Sequence, residues 1–254
     1  MTQLNESPII TVERRKAVTI IIAAVIISLA LGGGLMKVGS GFASRSSDGI
    51  TVTGSAKTSA TADNVVWTLM AQESSPSAAS AVKKVESTVA AAKNYLVKGG
   101  VAESSIESAA ISTYAIQQYI NGNQTGRILA YQASQNLTVR SKDVDLVKTL
   151  SNGIGSLLAT GVNIYNNGPQ YYVSNLAELR PQLLAEAMKD AKLRGTSITK
   201  AVGSKLGAVL SVTSGPVQVT TPDSVDTSAG GMYDTSSIAK TVTVTVSVSF
   251  KTSK

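Results

Sequence analysis

The sequence predicts an α+β fold, antiparallel sheets packed with helices, preceded by one N-terminal transmembrane helix. Three observations predict it. Residues 241–250 alternate Val242, Val244, Val246, Val248 and Phe250 with Thr and Ser, the period-two pattern of an antiparallel strand with one buried face. Strand-like segments come before helical ones and return in pairs, without the regular alternation of a parallel sheet. Residues 17–36, AVTIIIAAVIISLALGGGLM, carry no charge over twenty residues, which as a helix span about 30 Å, the thickness of a bilayer core.

The chain divides accordingly into a cytoplasmic tail (1–16), the transmembrane helix (17–36), a Gly/Ser-rich linker (37–49) and an extracytoplasmic domain (50–252). Arg14, Arg15 and Lys16 precede the span and only Lys37 follows it, so the heavier positive cluster stays inside. The predicted location is the cytoplasmic membrane, single-pass, with the N-terminus inside. The rival is a cleaved signal peptide with Gly41-Phe42-Ala43 as its cleavage site. Ala24, Ser28 and Gly32 recur every four residues, a small-residue stripe suited to a helix–helix contact in an oligomer.

Within the domain, 50–53 and 65–71 alternate as strands. Ser75-Pro76 offers an N-cap followed by a proline at the first helical position. Ala78, Val82, Val85, Val89, Ala92 and Leu96 then follow at helical spacing, up to Gly99-Gly100. Strands are expected around 106–120 and 128–140, with a turn at Asn121-Gly122-Asn123. A helix follows through Val144, Val147, Leu150, Ile154 and Leu157, weakened by Gly153 and Gly155. After a strand over 162–173, Asn175 and Glu178 resemble a capping box for a helix reaching about Val202, with Pro181 in its first turn or kinking it. Strands 206–215 and 241–250 close the domain, and 217–238 is expected to be a long polar loop. The halves 50–141 and 142–252 would each supply strands and a helix.

Composition excludes much chemistry. Without cysteine or histidine there is no disulfide, thiol nucleophile, Ser-His-Asp triad or ordinary zinc site. No catalytic, cofactor-binding or metal residues are assigned. The net charge is +7. Residues 37–254 hold twenty basic and fourteen acidic groups, a net +6 spread thinly along the chain, with Lys83-Lys84 the one adjacent pair there. With aromatics at 4%, that pattern does not suit nucleic-acid binding.

Three stretches resemble the SIMPL-domain family of bacterial envelope proteins: Ile50-Thr-Val-Thr-Gly54 with Asp63 beyond it; Ala130-Tyr131-Gln-Ala133-Ser134 leading into Leu137-Thr-Val139; and Ala187-Met-Lys-Asp-Ala191 followed by Lys205-Leu206-Gly207-Ala-Val209. The closing Val-Ser-Phe250 fits as well. Where the family often carries a second glycine after the first strand and Pro-Asp before the next, this chain has Lys57 and Ala62-Asp63. The resemblance implies an α+β fold, an extracytoplasmic location, ring-like homo-oligomers in some members and links to oxidative-stress defence and surface antigenicity. It brings no catalytic residues. Packing and turn geometry account for Gly54, Asp63, Ala187 and Ala191.

Ser80–Lys83, Ser197–Lys200 and Ser237–Lys240 match the S-x-x-K of acyl-serine enzymes, without its companion motifs. The leading expectation is a non-catalytic, membrane-anchored envelope protein that self-assembles. Its partners are membrane lipid, further copies of the chain and an envelope protein. The alternatives are a soluble form released near Ala43 and an envelope hydrolase using a Ser-Lys site.

Overall fold

The computed structural model describes residues 49–254. The span 17–36, its flanking Arg14, Arg15 and Lys16, the stripe Ala24, Ser28 and Gly32, and residues 37–48 of the linker lie outside the described residues. The chain runs β1 (Gly49–Thr61), β2 (Asn64–Ser75), α1 (Ala78–Lys98), a 3-10 turn (Glu103–Ser105), β3 (Ile106–Ser108), β4 (Ser112–Ile120) and β5 (Asn123–Ser141). It continues through α2 (Val144–Gly153), α3 (Gly155–Leu158), β6 (Ile164–Tyr172), α4 (Leu176–Ala201), β7 (Lys205–Ser214), β8 (Gln218–Thr220), β9 (Met232–Tyr233) and β10 (Ala239–Ser253). This is the expected α+β arrangement, with antiparallel pairing throughout except for a short parallel contact of β8 with β9.

The strands form two sheets. In one, β10 is central, paired on one side with the full length of β1 and on the other with β7 and then β8. α4 covers one face of this sheet. Val246, Val248 and Phe250 pack there with Val52, Ala187 and Ala191, while Val242, Val244 and Val219 pack around Leu183. The other face is a field of hydroxyls, with Thr51 and Thr53 opposite Ser249 and Ser247. In the second sheet β5 and β2 are central, flanked by β3, β4 and β6. α1 and α2 bury Val85, Val89, Leu96 and Val147 against Trp67, Leu69, Leu137 and Val139.

The two halves of the sequence do not each build one sheet. β1 joins the C-terminal strands, β6 joins the N-terminal ones, and both halves contribute to both layers.

Local departures have physical reasons. α1 is capped by Ser77, not Ser75: Ser77 is extended (φ −129°, ψ 150°) and its hydroxyl accepts from the Ser80 amide at 3.3 Å. Ser75 is still strand, paired with Tyr131, so Pro76 precedes the cap instead of following it. Asn175 occupies the N-cap of α4 but makes no side-chain cap bond. Its backbone (ψ 21°) is not the extended form from which a cap side chain reaches the first-turn amides. Pro181 falls in the second turn of α4. The 217–238 segment is more ordered than expected, because Gln218, Val219 and Thr220 are buried on β10.

Candidate functional site

Of the three Ser–Lys pairs, the fold brings one together. On α1 the Ser80 hydroxyl accepts from Ser75 while Lys83 is exposed. On α4 the Ser197 hydroxyl donates to the Leu193 carbonyl and Lys200 is exposed. Ser237 and Lys240 meet at the start of β10. The Lys240 ammonium is fully enclosed and donates to Ser237 Oγ at 3.3 Å, Asp234 Oδ1 at 2.8 Å and the Asp234 carbonyl at 2.6 Å. Burial pushes the Asp234 carboxyl up. Hydrogen bonds from Lys240, Ser236 and Ser237 outweigh it and hold the group well below the usual carboxylate range.

A lysine acting as a general base must present a lone pair to the serine. Here its three protons are engaged by three acceptors and an ionised carboxylate faces it. The geometry is that of a charged strut. It fixes a segment that also links the two sheets: the Tyr171 amide donates to the Thr235 carbonyl, the Val173 amide to Tyr233 Oη, and the Ala62 amide to the Ile238 carbonyl. Reading the sequence finds Ser237 and Lys240 by their spacing but misses Asp234, because no local pattern marks it as their partner.

The more distinctive feature is a projecting arm. Asn121 (φ 48°) and Gly122 (φ 79°) form the tight turn expected between β4 and β5, a two-residue turn needing positive φ twice. β2 stops pairing with β5 at Tyr131, so Asn123–Ala130 of β5 has only β4 beside it. Eight residues at about 3.3 Å each reach roughly 26 Å. This arm exposes Tyr119 (64%), Ile120, Ile128 and Leu129, and Arg127 is the sole charge over 112–130. A two-stranded hairpin is marginal alone in water, and clustered exposed apolar side chains mark interaction surfaces.

The β10 sheet also presents the open outer edges of β1 and β7 among the described residues. The outer edge of β1 pairs with no strand, although Asp190 reaches over from α4 to accept the Ser55 amide at 2.8 Å. This amide, with Arg194 at 2.9 Å, holds the Asp190 carboxyl below its ordinary value. β7 pairs with β10 only and exposes Val209, Leu210 and Val212. A strand unpaired on one side and bearing exposed apolar side chains, as β7 is, offers its edge to a further strand.

The residues carrying the family likeness serve packing and connection. β1 crosses α4 at Gly54, where an ideal Cβ would lie 2.1 Å from the Ala187 carbonyl oxygen. Asp63 accepts the Ser174 hydroxyl and the Ser174 amide at 2.8 Å, and the hydroxyl bond chiefly holds its carboxyl low. It thereby ties the β1–β2 turn to the entry of α4. Among the described residues no three acidic side chains gather to hold a metal ion, and no helix is long and apolar enough to cross a membrane.

No curated protein matches the chain. A family model does: SIMPL, described as a protein of unknown function (DUF541), matches residues 50–251, nearly all of the folded domain. The chain is therefore a member of the SIMPL family.

Proposed function

We propose that this protein is a non-catalytic envelope protein, held in the cytoplasmic membrane by residues 17–36 with its SIMPL domain outside, which assembles into a homo-oligomer and supports oxidative or envelope stress tolerance. The observation that carries the assembly reading is the arm of β4 and β5. Its apolar residues lie on a hairpin with no core of its own, which a second copy of the chain would cover. The charge-free span and its basic flank Arg14-Arg15-Lys16 support the tether and its orientation.

The test is a charge-bearing arm. Tyr119→Lys with Leu129→Lys is expected to leave the thermal unfolding of the domain unchanged and to reduce the detergent-extracted particle to a monomer by light scattering. An oligomer of undiminished mass would remove the arm from the account.

The hydrolase alternative has one observation in its favour, the 3.3 Å approach of Lys240 to Ser237, and Asp234 weighs against it. A fluorophosphonate probe is expected to leave Ser237 unlabelled. Stoichiometric labelling lost in Ser237→Ala would reverse that choice.

A further inference from the structure

The domain's positive charge is diffuse in sequence and gathered in space. Residues 49–54, 190–215 and 246–254 contain Lys192, Arg194, Lys200, Lys205, Lys251 and Lys254 against Asp190 alone. The remaining described residues hold twelve basic and twelve acidic groups, so this region carries the whole excess of the domain. The three segments form one end of the molecule. Gly49 pairs with Lys251, β7 runs along 246–253 of β10, and Gly195 of α4 faces Leu206 and Phe250. Lys192, Lys200 and Lys205 rim a cleft of about 610 Å³ between α4 and β7. Asp190 is already engaged by Arg194 and the Ser55 amide.

The same end exposes apolar side chains beside the lysines, with Leu193 68% and Val202 72% exposed and Val209 and Leu210 about half exposed. Basic groups interleaved with exposed aliphatic ones suit the boundary between lipid headgroups and acyl chains. The tether enters here too. Residues 37–48 separate Met36 from Gly49, twelve residues that extend at most about 40 Å and as a flexible coil average about 20 Å.

We infer that this end of the domain, built from the start of β1, the C-terminal half of α4, β7 and the end of β10, docks on the surface of an anionic phospholipid bilayer. The inference rests on the membrane-tether reading for the closeness of the surface. A second copy presenting the same end would bring two like-charged surfaces together, so charge favours lipid over self-pairing here.

The chain has no cysteine, so single labels are unambiguous. Full-length protein carrying Ser253→Cys, or Thr160→Cys on the other sheet's side as a control, is labelled with a fluorophore. It is then reconstituted into phosphatidylcholine vesicles or vesicles rich in phosphatidylglycerol, each holding a headgroup-linked quencher. The expected result is strong quenching of the Ser253→Cys label in phosphatidylglycerol only. It should be lost at about 1 M salt, where screening acts over about 3 Å. It should also be lost in Lys200→Glu/Lys205→Glu/Lys251→Glu, with the Thr160→Cys label unaffected throughout.

Equal quenching in both lipids, or an unchanged signal in the charge-reversed variant, would overturn the inference. So would burial of the Ser253→Cys label irrespective of lipid, which would point to a protein occupant. Flotation after the high-salt wash reports the tether separately. Protein that floats without lipid-dependent quenching keeps the tether and loses the docking surface. Protein washed off by salt that still shows the quenching in phosphatidylglycerol at low salt keeps the docking surface and loses the tether.

Discussion

An ideal Cβ at Gly54 would sit 2.5 Å from the Ala191 amide nitrogen as well as against the Ala187 carbonyl, and helix backbone cannot yield as a flexible side chain can. Gly54→Ala is therefore expected to destabilise the domain by about 1–3 kcal/mol, lowering Tm by several degrees in calorimetry. The sole tryptophan makes a second residue-scale case. Trp67 is fully buried and its Nε1–H donates to Asn166 Oδ1 at 2.8 Å. Asn166→Ala leaves that donor without a partner and should cost about 1–3 kcal/mol by denaturant midpoint. The strut at Lys240 gives a pH dependence. The folded carboxyl of Asp234 lies below its ordinary value of 3.8, so its contribution is complete above that value and is lost as pH falls through and below it. Asp234→Asn leaves a buried ammonium facing a neutral amide, at a cost of about 3 kcal/mol near neutral pH. The variant should show a flatter decline in stability below pH about 5 than the parent. A decline of equal steepness in both would deny the strut its role. None of these partners could be read from the sequence, since each joins residues distant along the chain or lacking a shared pattern.

At the scale of elements, legibility follows how local the signal is. β10 is announced by its valine alternation and α1 by its apolar spacing, and both lie close to where those patterns place them. The turn at Asn121-Gly122 is equally local. The pair Gly153 and Gly155 breaks the helix into α2 and α3 around Ile154, as weak helix formers should. Where the local signal misleads, tertiary contact decides. Ser75 precedes a proline as a cap would, but β5 holds it in the strand. Asn175 and Glu178 have capping-box spacing without its backbone, and Asp63 secures the approach to α4 instead. β8 is three residues, too short for periodicity, and exists because β10 extends beyond β7 and offers it a partner. The loop between β8 and β9 remains exposed over most of 222–230. Brief digestion with a non-specific protease should nick it first, leaving two fragments that stay associated through β8 and the 232–238 links. Primary cleavage within 232–238 would contradict the bridging role given to that segment.

Across the whole molecule, the two sheets divide the work. The β2–β5–β6 layer buries the larger core and carries the projecting arm. The β1–β10 layer carries the charge excess, the open edges of β1 and β7 and the junction with the N-terminal segment. Residue by residue the charge reads as diffuse. Its clustering is invisible in the sequence because β1 and β10 pair across nearly two hundred positions. The proposed orientation, with the basic end toward lipid and the arm on the other layer, leaves the arms free to pair neighbouring copies on one membrane. The most direct test is the mass, by light scattering, of the particle extracted with detergent from salt-washed membranes. The account predicts recovery in that fraction at a multiple of the 26.2 kDa chain mass. A strict monomer, or absence of the protein from washed membranes, would contradict it.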